Sequence, residues 1–230
     1  LDDVRAFHRD YYGPNNAVIA LAGDVTPERA LELVQKYFGG IQPGPPLART
    51  REWIPRLERN VRDEMYDRVP QARLYRVYHA PAWRDAEAEH LSLFAEVLSG
   101  SKSSRLDRRL VYEKGLATAV GAGLNKSELG SLLFVTVTVK QGADPAEAER
   151  EMDAVVNELL DKGPTAEELQ RTRSRLLANF LRGTERLGGF GGRSDVLAES
   201  MTYGGSPDAY LDKLEVMAKA TPADVRAAGQ

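Results

Sequence analysis

A mixed fold of alternating helices and strands is predicted by this 230-residue sequence, and three stretches carry the prediction. Ser131–Val139 reads as a strand, with Leu133, Val135, Val137 and Val139 on one face and Thr136 and Thr138 on the other. Pro145–Leu160 places Ala148, Met152, Val155, Val156 and Leu159 on one helical face. Gly100–Val120, GSKSSRLDRRLVYEKGLATAV, reads as a helix end, a small-residue loop, a basic helix and the start of a strand.

In chain order, Val4–Tyr12 reads as a short helix ended by Gly13-Pro14, and AVIALAG, residues 17–23, as an apolar strand. A helix opens at Thr26, a candidate N-cap followed by Pro27 and Glu28, and stops at Gly39-Gly40. Pro43, Pro45, Pro46 and Pro55 exclude a regular helix or central strand over residues 41–56, which is the predicted linker. Strands are expected over 60–67 and 72–79. Helices are expected over 85–98, with the stripe Leu91, Phe94, Val97 and Leu98, and over 103–113. Strands follow at 117–124 and 131–139, joined by a turn at 127–130. Thr165 and Glu168 form a capping box that opens a helix to Arg182, and the chain after LGGFGG is helical again.

Composition narrows the function classes. With 42% hydrophobic residues the chain can bury one good core or two small ones. The balance of 31 basic against 34 acidic residues, without a Lys/Arg stripe on any predicted face, argues against nucleic acid as a partner. No apolar run approaches the roughly 18 to 20 residues that span a bilayer, so a soluble globular protein is expected. Zero cysteines exclude disulfides, thiolate chemistry and Cys-ligated zinc, and fit a bacterial periplasm and cytoplasm equally. The start at Leu1 and the stop at Gln230 each fall inside a predicted helix, so the chain reads as a piece of a longer polypeptide. Thr221-Pro222 repeats the Thr26-Pro27 opening, and the first and last helices echo each other. This is either chance or the trace of a repeated unit.

The sequence completes no zinc-helix, nucleophile-elbow or phosphate-loop motif. His8, His79 and His90 are the available imidazoles, and Glu89-His90 lacks the second His that an inverted zinc motif needs, since Ala86 stands there. Ser101, Ser103 and Ser104 lie in no nucleophile elbow. Gly188–Gly192 lacks the strand before and the Lys-Ser/Thr after that make a phosphate loop, and reads as a helix break. Glu147, Glu149, Glu151, Glu167 and Glu168, with Arg105, Arg108 and Arg109, are expected to be solvated faces. The loop Ser99–Ser104, beside a helix N-terminus, can expose N–H groups that would hold a peptide carboxylate or carbonyl.

Three segments in order, FHRDYYGPNNAVIALAGDVTPERALELVQKYFGGI, LSGSKSSRLDRRLVYEKGLATAV and GPTAEELQRTRSRLLANFLRG, resemble successive signatures of the M16 family of pitrilysin- and insulinase-like zinc metallopeptidases, in their C-terminal, non-zinc domain. The resemblance implies an α+β fold of the LuxS/MPP-like metallohydrolase kind: a mostly antiparallel sheet with helices packed on one face. It implies that residues 1–40 are the helix–strand–helix tail of a preceding zinc-bearing domain, that 41–56 is a linker, and that 57–230 is the non-catalytic domain, truncated before its last strand. Zinc would belong to the parent protein, held by an H-x-x-E-H helix this chain lacks, so the chain alone should be inactive. Family members supply an Arg and a Tyr in a pattern like R-E-K-R-G-L-A-Y; here V-Y-E-K-G-L-A-T puts Val111 and Thr118 at those positions. This suits a domain of the zinc-bearing half, or an inactive relative.

By resemblance, such a domain walls a substrate chamber and binds an extended peptide through main-chain hydrogen bonds, at positions matching Gly100, Ser101, Val120 and Ala122. Gly121-Ala122-Gly123 either leaves room for a second backbone or packs under a helix. The readings carried forward are a chamber domain of an M16 zinc peptidase, a structural or assembly subunit of an inactive relative, and a freestanding peptide-binding module. Partners would be a peptide substrate, other M16 domains and, through an exposed strand at residues 17–23, a second copy of the chain.

Overall fold

Among the described residues three strands form the sheet: β1 (Arg73–Ala80), β2 (Ala117–Asn125) and β3 (Ser131–Val139), in the order β1-β3-β2 with both pairings antiparallel. The computed structural model describes residues 1–51 and 53–230; Glu52, within the predicted linker, lies outside the described residues. The fold is α+β. Helices precede the sheet at α1 (Asp2–Tyr11) and α2 (Pro27–Phe38). Between the strands and after them come α3 (Ala86–Ser99), α4 (Pro145–Lys162), α5 (Ala166–Thr184), α6 (Arg193–Glu199), α7 (Ala209–Lys219) and α8 (Pro222–Gly229). Two compact units are distinguished: Leu1–Arg51 with Leu177–Asp212, and the remainder up to Leu176 and from Lys213 to Gln230.

Local chemistry explains the helix ends. Thr26 accepts a hydrogen bond from the Arg29 N–H, Asp85 from Glu87 and Asp144 from Ala146, each satisfying a donor that the first turn leaves unpaired. Thr165 and Glu168 close the expected capping box, at 2.8 and 3.1 Å. Thr221 and Asp224 make another at the start of α8. Helix α4 ends on Gly163 at φ 70°, a conformation that costs a side-chain-bearing residue but not glycine.

In the second unit one face of the sheet is buried. Val135, Val137 and Val139 pack against Leu93, Phe94 and Val97 of α3 and Met152 and Val155 of α4, with Val225 of α8 closing the core. Gly229 lets α8 approach closely: a Cβ there would stand 2.6 Å from the Phe94 ring. Residue alternation sends Arg73, Tyr75, Val77 and His79 of β1 and Leu132, Phe134, Thr136 and Thr138 of β3 to the other face. Tyr75 is 53% and Val77 47% exposed there.

Three expectations are corrected. Residues 17–23 and 60–67 are not strands: the first is apolar and the second holds only Val61, Met65 and Tyr66 among polar neighbours, but a strand exists only where a partner edge accepts its peptide groups, and no described strand pairs with either segment. Val18, Ile19 and Leu21 are 40%, 51% and 52% exposed. The basic segment after the serine loop is helical, but over Asp107–Glu113 it winds as a π-helix, closed by Lys114 N–H donating to the Arg109 carbonyl at 3.0 Å.

Candidate functional site

Two features occupy the sequence-predicted positions: the serine loop, and the edge of β2 that no described strand covers. In the loop, the hydroxyl of Ser104, 7% exposed, accepts from the backbone N–H of both Gly100 and Ser101 at 3.0 Å and donates to the Glu96 carbonyl at 3.3 Å. Of the N–H groups that the loop could offer to a ligand, those of Gly100 and Ser101 are thus taken by the loop's own side chain. Gly100 is also roofed. A Cβ there would run into the Glu96 carboxylate and the Arg175 guanidinium, which pair with each other across it. Ser101 lines a cavity of about 160 Å3 with Ser103, Ser104, Arg171 and Arg175, to which no β2 residue contributes.

The strand edge is different. Val139 N–H donates to the Ala72 carbonyl at 2.9 Å, and Lys140 N–H to the Leu116 carbonyl at 2.8 Å. Peptide groups alternate direction along an antiparallel strand, so Leu133, Val135 and Val137 bond β1, whereas Phe134, Thr136 and Thr138 bond β2. Their β2 partners Ala119, Gly121 and Gly123 are therefore engaged. Val120, Ala122 and Leu124 turn their N–H and C=O groups outward along the free edge, with side chains on the helix-covered face. The register slips between Ala117 and Ala119, and the bulged Thr118 is exposed, its hydroxyl donating to the Thr138 carbonyl at 3.4 Å. Val111 is half-buried against the core. Neither residue can supply the charge or the phenol of the family pattern.

The charged groups expected to be solvated are largely paired. Arg105 bonds both oxygens of Glu168, at 2.9 and 2.8 Å, and the Gly163 carbonyl at 3.1 Å. That guanidinium, with the Thr165 amide, holds the Glu168 carboxyl down at about 2, against the opposing effect of burial. Glu149 is gripped by Arg62 at 2.7 Å and Arg76 at 2.6 Å and is likewise lowered to about 2. Arg109 and Lys114 share Glu151, at 2.7 and 3.2 Å. Burial raises the Asp107 carboxyl even though the Ser99 hydroxyl donates to it at 3.1 Å. Sequence reading missed these pairs because their members come from separate elements.

A cleft of about 550 Å3 opens between the π-helix, α4 and the start of α5. Its lining carries Arg105, Arg108, Arg109 and Arg171 against Glu113, Glu158, Glu167 and Glu168, so its formal charges balance. Among the described residues no group of three or more His, Cys, Asp and Glu side chains could hold a metal. Glu89 of α3 is 3% exposed and its carboxylate is bonded by Lys126 at 2.6 Å, with Lys213 at 3.7 Å, so it does not suit a cation ligand. No described helix is long and apolar enough to cross a membrane.

The "Zinc protease PqqE" of Helicobacter pylori is 27% identical over 197 residues, covering 80% of this chain and 42% of that protein. Among solved structures, a protease from Helicobacter pylori superposes with a TM-score of 0.80 at 21% identity, over 99% of this chain and 55% of that one. The peptidase M16 inactive domain from Pseudomonas fluorescens gives 0.80 at 21% identity, over 99% and 53%. The first half of the periplasmic protease PqqL from Escherichia coli gives 0.68 at 20%, over 100% and 51%. The chain thus spans about half the length of these relatives. Residues 1–176 match the family described as the peptidase M16 inactive domain, and the chain belongs to that family.

Proposed function

We propose that this chain is a non-catalytic chamber domain of an M16 zinc metallopeptidase, helping to enclose an extended peptide and to hold it by strand addition at β2. The single observation that carries the reading is the outward direction of the Val120 and Ala122 peptide groups along an edge that no described strand covers. Strand addition draws affinity from main-chain hydrogen bonds and so suits a wall that handles many sequences. Gly100 and Ser101 then serve as a supporting corner, because their N–H groups are bonded to Ser104. Zinc and the catalytic residues belong to another domain of the parent protein.

Proline tests the edge selectively. Ala122→Pro deletes an N–H that points to solvent, which an edge strand tolerates, whereas Gly121→Pro deletes one bonded to β3. Ala122→Pro is expected to keep the circular dichroism of the parent chain while losing binding of a labelled extended peptide, and Gly121→Pro to disrupt the fold. Unchanged binding by folded Ala122→Pro sinks the reading. In the protein extended through its zinc domain and opposite half, the same substitution is expected to raise KM with zinc content unchanged.

A further inference from the structure

We infer that the β2 edge selects extended segments carrying an aromatic side chain opposite Gly123; this rests on the strand-addition reading above. Rows of side chains run across the uncovered face of the sheet, and one row reads Val77, Phe134, Gly123. A strand added beyond β2 places its next residue in that row. Because Ala122 and Leu124 supply the outward peptide groups, the residue of an antiparallel added strand opposite Gly123 sits in a non-hydrogen-bonded pair, where side chains approach most closely.

Nothing in the fold itself calls for glycine here. Gly123 does not adopt positive φ, and a Cβ built on it meets no atom within 4 Å. Glycine weakens a strand, so its presence without steric need leaves an unfilled gap beside the half-buried Phe134 ring. Gly121 differs: a Cβ there would stand 2.9 Å from the Thr136 hydroxyl, which donates to the Gly121 carbonyl at 3.4 Å and already occupies that place. The gap is therefore specific to the Phe134 row. An aromatic side chain from a neighbouring strand lies over such a glycine and packs against the ring beyond it, covering the exposed backbone. A small or charged side chain leaves the gap open.

The test uses the 230-residue chain and three labelled peptides of about ten residues, the span of one strand, read by fluorescence anisotropy. One has Phe at alternate positions among Thr with terminal lysines, one has Ala for each Phe, and one is the Phe peptide N-methylated at alternate amides. The Phe peptide is expected to bind about tenfold tighter than the Ala peptide, the upper range of one aromatic contact. Gly123→Val, which the open space accommodates, is expected to abolish that difference while leaving the Ala peptide within about twofold. Equal binding of Phe and Ala peptides, with N-methylation still abolishing it, overturns the aromatic preference and leaves strand addition standing. Binding insensitive to N-methylation, or absent with every peptide, overturns both.

Discussion

Arg105 and Glu168, 63 positions apart in sequence, meet as a two-bond guanidinium–carboxylate pair, and the same carboxylate accepts the Thr165 N–H that starts α5. One side chain thereby caps a helix and ties it to the segment leading into the π-helix. Their side chains are 12% and 20% exposed, so solvent screens the pair only partly.

Acid should release this tie. Glu168 titrates at about 2 in the fold against an ordinary 4.5, so the unfolded chain takes up the proton first. The stabilisation is complete above pH 4.5 and is lost as pH falls towards 2. Glu168→Gln keeps the capping box and removes the titration. The wild type is expected to lose about 3 kcal/mol more than this variant between about pH 5 and pH 2, read from urea midpoints. Parallel pH curves for the two proteins would refute the pair's contribution.

At Gly100 the expected defect is the loss of an ion pair, not backbone strain, because φ is −111° there. Gly100→Ala should push the Glu96 and Arg175 side-chain ends apart at a cost of about 1 kcal/mol. In an Arg175→Ala background the same substitution should cost almost nothing. Additive effects in that double-mutant cycle would show that the methyl group disturbs the loop itself.

Ser104→Ala leaves the Gly100 and Ser101 N–H groups without their shared acceptor. A loss of about 1–3 kcal/mol is expected by thermal unfolding, together with faster amide exchange at those two positions. Unchanged exchange would mean that water replaces the hydroxyl without cost.

What the sequence made legible follows from the range of the interaction. Thr26, Thr165 with Glu168, and the Leu133–Val139 alternation are local signals, and the helices and β3 appear where they place them. The apolar segment at 17–23 makes no strand, nor does the more polar 60–67, because pairing is decided by an edge elsewhere. The π-helical winding of Asp107–Glu113 leaves no mark in a 3.6-residue pattern. At the candidate site, the small residues of β2 were visible, but the direction of their peptide groups depends on register against β3, and the occupation of the Gly100 and Ser101 donors depends on a serine that read only as loop composition.

The segment at 17–22, which no described strand pairs, has a consequence for the isolated chain. Val18, Ile19 and Leu21 are exposed, and an apolar stretch outside any ladder is a template for pairing with another copy. Concentration-dependent self-association is expected in sedimentation velocity. Ile19→Lys with Leu21→Lys should suppress it, because charge on an edge opposes pairing, and should leave thermal stability within about 0.5 kcal/mol, as for other exposed sites. A wild type that stays monomeric at every concentration would show that the extended segment does not recruit a second copy. Self-association that survives the two lysines would move the contact elsewhere on the chain.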